Sequence, residues 1–404
     1  MSVGPAPAPP GWAEAIDRLT SPRTIGILGI VAGLVAFWLA LPPWTLRDIG
    51  PPIAAGFVAL ACGLAVVPRG ERKLGWFAIG LGILGTVGAV WLQTKDVDTL
   101  ENVITAGLLA SMLRFATPLA FAAMGGIFSE RSGIVNIGLE GMMLMGAFFG
   151  IWGAVWSGSW AVGLLMAMLF GGLLALIHAV FSITLRADQI VSGFAVNFLA
   201  LGLTGFLFNS IYPDGLPSDV SRVPNVHLGF LDDVAFLGPI FGNLNLLVWI
   251  MFGTVILTHV VLFRTKIGLR IRACGEHPRA ADTVGISVFR IRYAAVVFSG
   301  VLAALGGAFL SIGFTGTFAE NMTSGRGYIA LAAVIFGKWR PVWAFAACLL
   351  FGFGFALAIP LQREADVSEN LISILPYVLT LVALVGLIGR SIPPAAIGRP
   401  YVKQ

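Results

Sequence analysis

RTKIGLRIRACGEHPRAADTVGISVFRIR, residues 264–292, is the one long polar and basic segment set between two apolar runs. It holds seven of the chain's 25 Lys and Arg residues, opposed only by Glu276 and Asp282. In a membrane protein, loops so rich in Lys and Arg stay on the cytoplasmic side. Gly275 and Pro278 punctuate the segment, which predicts short helical pieces on either side of them. It reads either as a docking element gripped by a soluble partner or as a loop that only fixes orientation.

The rest of the chain supports the membrane setting. Of 404 residues, 57% are hydrophobic and 11% charged, with a mean hydropathy of +0.91. Soluble domains carry about 25% charged residues, so the composition defines an all-α polytopic membrane protein. The net charge of +5 does not point to nucleic acid, because the basic residues lie in loops beside apolar runs. Cys62 and Cys348 fall in apolar runs and Cys274 in the basic segment, so neither a disulfide framework nor a metal site is expected. No cofactor is implied. Residues 1–24 are Pro/Ala-rich and then mildly amphipathic, without the basic start and cleavage site of a signal peptide. They are expected to form a cytoplasmic segment ahead of a retained first span.

A bilayer span needs about 20 apolar residues. Such runs lie near 25–41, 50–67, 74–92, 103–128, 138–156, 160–185, 189–211, 245–263, 293–312, 341–360 and 371–389, and a further run at 327–337 is short for a span. This predicts about 10–12 transmembrane segments with both termini cytoplasmic. That topology places 19 basic residues inside and five outside, with Arg114 left over. The predicted outer loop, Tyr212 to Asn245, sets Asp214, Asp219, Asp232 and Asp233 against Arg222. It is either a structured cap or a passive connector.

The chain also carries an internal echo. AAMGGIF at 122–128 matches AALGGAF at 303–309 in five of seven positions, and ALGL at 200–203 resembles ALVGL at 383–387. The two heptapeptides lie on spans of opposite direction, and each is followed by a polar break containing Ser-Gly. That pattern predicts an inverted repeat with broken or short helices. The breaks, around 129–137 and 315–326, either line a path through the membrane or are plain surface loops.

At these residues the chain resembles a known family. ATPLAFAAMGGIFSERSGIVNIGLEGMMLMGAF, ADQIVSGFAVNFLALGLTGF, GLRIRACGEHPRAADTVGI, TSGRGYIALAAVIFGKWRP and LPYVLTLVALVGL look like the permease subunits of bacterial ABC importers. More narrowly they resemble the nucleoside and simple-sugar branch, related to ribose and branched-chain amino-acid permeases. The resemblance implies a permease domain over 104–389, with halves at about 104–212 and 290–389. Additional N-terminal transmembrane segments occupy 25–103, and 390–404 form a cytoplasmic tail. It implies a cytoplasmic ATP-binding subunit, a second permease subunit that is homologous or identical, and an extracytoplasmic substrate-binding protein. It also implies an inner-membrane location. In such importers a cytoplasmic loop of the permease docks into the ATPase. Gly275, Glu276, Arg279, Ala280, Ala281, Asp282 and Gly285 match that loop. No GxxxxGK[ST] phosphate loop is present, so ATP hydrolysis would belong to the partner.

The candidate pathway residues are Phe121, Asn136, Glu140, Asn197, Phe309 and Asn321. A carboxylate one turn into a span, as at Glu140, is costly and marks either function or a helix cap. Asn136 and Asn197 offer hydrogen bonds to a hydroxylated or purine-like solute, or act as interhelical glue. Phe121 and Phe309 offer aromatic faces or core packing. His178 and His259 read as core histidines. An ion-coupled secondary transporter of small polar solutes is the alternative, weakened because Glu140 is nearly alone among intramembrane carboxylates. An intramembrane serine enzyme built on Ser299 is disfavoured, since no His follows on a neighbouring span.

Overall fold

Apolar runs too long for a soluble core become helices, because in lipid every backbone N–H and C=O must be satisfied within its own segment. The structure, a computed structural model, describes residues 20–40, 50–93, 106–231, 237–364 and 391–402. Eight helices among them are long and apolar enough to cross a membrane. The expected span at 371–389 and residues 1–19 lie outside the described residues. The chain divides into two compact units, residues 1–105 with 363–366 and residues 106–362 with 367–404.

The first unit is a three-helix cluster of α1 (Pro22–Ala40), α2 (Gly50–Val66) and α3 (Arg72–Gln93). Small residues let the three backbones approach: a Cβ on Gly29 would lie 2.7 Å from that of Cys62 and 3.0 Å from that of Ala78.

The second unit is built on α4 (Ala106–Arg131), α5 (Leu139–Ser157), α6 (Trp160–Ala179), α7 (Gln189–Ile211), α9 (Leu246–Arg264), α12 (Val288–Ala308) and α14 (Pro341–Glu364). The basic segment folds as a helical hairpin, α10 (Lys266–Glu276) and α11 (Pro278–Thr283). The short run is α13 (Arg326–Phe336), eleven residues and so about 16 Å long. Between α7 and α9 the loop is a folded cap. Strand β1 (Asn225–His227), helix α8 (Leu237–Phe241) and strand β2 (Asn243–Asn245) form it, with the strands antiparallel and Asn225 opposite Asn245. Asn245 joins the cap to the bundle: it caps α9 through Leu247 N and donates to Val223 O and Gly313 O.

α4 and α12 cross antiparallel at the centre. A Cβ on Gly125 would lie 2.5 Å from Ser299 O, and one on Gly306 would lie 2.7 Å from Pro118 O. The heptapeptide echo equates residue 125 with 306 and 118 with 299. Exchanging the two halves therefore turns one contact into the other, which is the symmetry an inverted repeat requires. The flanking helices repeat the pairing element by element, though not residue by residue: Gly171 of α6 lies on Gly300 and Ala304 of α12, and Gly352, its counterpart in α14, lies on Met112 and Ala116 of α4, about two turns from the strict counterparts Leu119 and Ala123. Each contact is a small residue meeting backbone, the packing that joins helices where lipid offers no hydrophobic drive. α6 and α12 both end in π-helical turns, Val180–Thr184 and Phe309–Thr315, a widening common where helices serve function.

Candidate translocation path and coupling surface

Two irregular segments interrupt the bundle, residues 132–138 after α4 and residues 316–325 after α12. Their depth follows from α13. At its C-terminal end Trp339 donates its indole N–H to Glu130, and Arg131 Nε donates to Trp339 O at 3.2 Å. At its N-terminal end Gly325 N and Gly327 N donate to the two carboxylate oxygens of Glu140, at 2.7 and 2.5 Å. The chain from 130 to 140 thus travels about the length of α13. The first break therefore runs beside α13, from one of its ends to the other.

Glu140 accordingly works as a cap. It serves the N-terminus of α13, a helix from the other half of the repeat, where free N–H groups and the helix dipole favour a carboxylate. Asn197 of α7 completes the node. Its Oδ1 accepts from Gly141 N at 2.7 Å, and its Nδ2 donates to Ile137 O and to the Tyr328 hydroxyl, both at 3.0 Å. Four elements, α5, α7, α13 and the first break, therefore meet on two side chains.

Asn136 is fully buried, donating to Ser299 Oγ at 2.9 Å and to the Met142 sulfur at 3.5 Å. Ser299 is thus a hydrogen-bond partner. Phe121 and Phe309 are core residues, 0% and 1% exposed. Phe309 stacks on Phe314, with centroids 6.2 Å apart. These two rings and Phe115 line a cavity of about 200 Å³ with Arg114, Thr315 and Arg326. Asn321 stands apart, exposed and in the left-handed backbone region at φ 54°. His178 is a satisfied core residue, its ring nitrogens 2.9 Å from Ser192 Oγ and 3.0 Å from Val135 O. Gln189 reaches across to the first break, where its Oε1 accepts from Val135 N, and Asp188 caps α7. Glu140, Asn197 and the first break are brought together; Asn321 and Phe121 are not part of that node.

The α10–α11 hairpin packs under the first break. A Cβ on Gly275 would lie 2.1 Å from Arg131 O, so a side chain there would drive the two apart. Gly275 and Ala281 are buried, whereas Glu276, Arg279, Ala280 and Gly285 are exposed and Asp282 is half-buried. Within the stretch expected as a cytoplasmic tail, residues 391–402 fold back as a strap on the hairpin. Ala396 N donates to Gly275 O, Ala395 N to Glu276 Oε2, and Gly398 N to Gly133 O. Tyr401 joins Cys274, Ala281 and Val288 in a small apolar cluster. Burial and a hydrogen bond to the Asp282 carboxylate push the Tyr401 phenol pKa up, and burial pushes the Cys274 thiol up to about 11. Arg292, 1% exposed, ties the parts together by donating to Ser132 O and Arg399 O.

Trp339, Tyr328 and Arg292 were not singled out by sequence. Arg292 carried the one available signal, a cation at the mouth of an apolar run.

Helices interrupted inside an apolar bundle are how a membrane protein builds a path for solutes, and the class is a multi-pass membrane transport protein. Residues 108–384 match the family described as branched-chain amino acid transport system / permease component; the chain belongs to this family and is a transport component rather than an enzyme. It is 42% identical over 313 residues to the guanosine ABC transporter permease protein NupQ of Bacillus subtilis, covering 73% of this chain and 96% of that one. It is 38% identical over 318 residues to the nucleoside ABC transporter permease protein NupC of Lactococcus lactis, covering 76% and 99%. A second guanosine ABC transporter permease protein of Bacillus subtilis, NupP, is 24% identical over 278 residues, covering 67% and 78%. No solved structure matches the chain at a significant level.

Proposed function

We propose that this chain is the transmembrane permease subunit of an ABC importer that moves nucleosides across the cytoplasmic membrane. The observation that carries the reading is identity of 42% and 38% to guanosine and nucleoside permeases over nearly their whole length. The basic hairpin faces the cytoplasm, where positive charge is retained, and both termini lie on that side. Its exposed residues Glu276, Arg279, Ala280 and Gly285, with Asp282, dock onto the ATP-binding subunit, while Gly275 and Ala281 seat the hairpin on the body. The second permease is a different chain. One organism holds two guanosine permeases, and this chain resembles one far more than the other. An extracytoplasmic binding protein delivers the solute at the cap. The solute passes along the second break, past Asn321 and the Phe309 cavity, with Glu140, Asn197, Asn136 and Phe121 shaping the path from behind.

The test is the double reversal Glu276→Arg with Arg279→Glu in the complete complex. The expected result is loss of the ATPase subunit from the purified complex and loss of labelled guanosine uptake into proteoliposomes. An intact complex with unchanged uptake would overturn the docking assignment.

A further inference from the structure

The helix ends that flank the first break grip α13 at both of its ends. Glu130 and Arg131 hold Trp339 just beyond its C-terminus, and Glu140 holds Gly325 and Gly327 at its N-terminus. Between those grips α13 is seated against the bundle through Ala330, Ala333 and Val334, all fully buried. The turn that carries Trp339 is strained. Lys338 and Trp339 are consecutive non-glycine residues at φ 53° and 54°, a backbone region disfavoured for residues with a Cβ. Such strain persists only where the surroundings over-determine it, and it clusters at sites that switch or transmit. Here the surroundings are Glu130 and Arg131, and Trp339 is 4% exposed. The backbone of Arg131 is also the surface on which Gly275 of the hairpin rests.

We propose that Trp339 is a positioning residue for coupling: with Glu130 and Arg131 it makes α13 a rigid strut that carries displacement of the α10–α11 hairpin to the Glu140–Asn197 node. The contacts run without a gap. Gly275 presses on Arg131, Arg131 and Glu130 hold Trp339, Trp339 ends α13, and α13 presents Gly325, Gly327 and Tyr328 to Glu140 and Asn197. A helix about 16 Å long transmits movement along its axis because its length is fixed by its own hydrogen bonds. The first break and α13 therefore move as one body when the hairpin moves. This rests on the hairpin being the ATPase contact.

Trp339→Phe keeps an aromatic ring and removes the N–H donor. In proteoliposomes holding the full complex, the expected result is that ATP hydrolysis continues while labelled guanosine transported per ATP falls about tenfold, the equivalent of one buried acceptor left without its hydrogen bond. Glu130→Gln retains an acceptor oxygen and should keep the wild-type ratio, whereas Glu130→Leu should reproduce the loss. A wild-type transport-to-hydrolysis ratio in both Trp339→Phe and Glu130→Leu would overturn the strut. If the variants do not assemble, a second measurement decides. A cysteine in place of Tyr328 should change its thiol-labelling rate when ATP is added, and a disulfide locking the hairpin to the first break should abolish that change. An ATP response that survives the lock overturns the proposal. The double reversal at Glu276 and Arg279 separates the two readings. If it releases the ATPase but Trp339→Phe stays coupled, the strut fails alone; if it does neither, the docking assignment fails first.

Discussion

The two breaks follow the two paired helices, α4 and α12, yet they are built differently. In residues 132–138 five of seven positions are buried, and side chains from α6, α7 and α12 reach in to bond the backbone and the amide nitrogen of Asn136. In residues 316–325 half the positions are exposed, and Asn321 and Ser324 hold left-handed backbone, at φ 54° and 45°. Most of the bonds in the second break are local turns, such as Ser324 N to Asn321 O and Arg326 N to Thr323 O. A buried, cross-linked break opens only with its neighbours, whereas an exposed one held by local turns can open alone. The inverted repeat thus supplies two similar interruptions, of which the first is a stiff fulcrum that shifts only together with its neighbours and the second is the freer element.

Glu140→Ala is the strongest way to break this contrast, because Glu140 ties the start of α13, where the second break ends, to the helix that follows the first break. It strands the N–H groups of Gly325 and Gly327, at about 1–3 kcal/mol each. The expected result is a clear fall in the melting temperature of the detergent-solubilised complex, with Glu140→Gln milder because one oxygen remains. An unchanged melt with strongly reduced uptake would make Glu140 a substrate contact instead of a cap.

Thiol labelling comes next in size. A cysteine at Asn321 should react readily with small aqueous reagents, while one at Asn136, 0% exposed, should wait for an opening of about 3 kcal/mol. That opening corresponds to rates lower by roughly a hundredfold. Equal rates would erase the distinction between fulcrum and free element. The smallest effect belongs to Asn136→Ala, which removes the bond to Ser299 within the packed break. It should cost about 1 kcal/mol, read as a modest drop in melting temperature with turnover nearly intact.

Hydropathy made most of the fold legible. The expected spans at 189–211, 138–156 and 245–263 fall on α7, α5 and α9 within a residue, because a lipid-facing helix must be apolar along its whole length. The breaks were legible as polar interruptions, and α13 as a run short for a span, although the topology count treated it as a pass. The grips on α13 were not. Glu130 and Trp339 are 209 residues apart, and Glu140 and Gly327 are 187 apart. Neither pair carries a local period or spacing that couples its members. Glu140 was legible as an unusual carboxylate, but its partners are backbone N–H groups, which any residue supplies. The fold of the tail into a strap was not legible for a related reason. Its contacts with the hairpin are largely main-chain, so the side chains of 391–402 gave little sign that the segment folds.

That strap bears on the order in which the molecule is made. The hairpin precedes it in the chain by more than a hundred residues, with Glu276 and Ala395 separated by 119. At 5–20 residues per second the ribosome needs roughly 6–24 s to cross that interval. Throughout it Cys274, Ala281 and Val288 lack the ring of Tyr401 that closes their cluster, and Gly275 O lacks its bond from Ala396. Until the ribosome has passed residue 401, the hairpin rests, among the described residues, mainly on α4, α9 and α12. A segment synthesised later finishes the seat of one synthesised earlier.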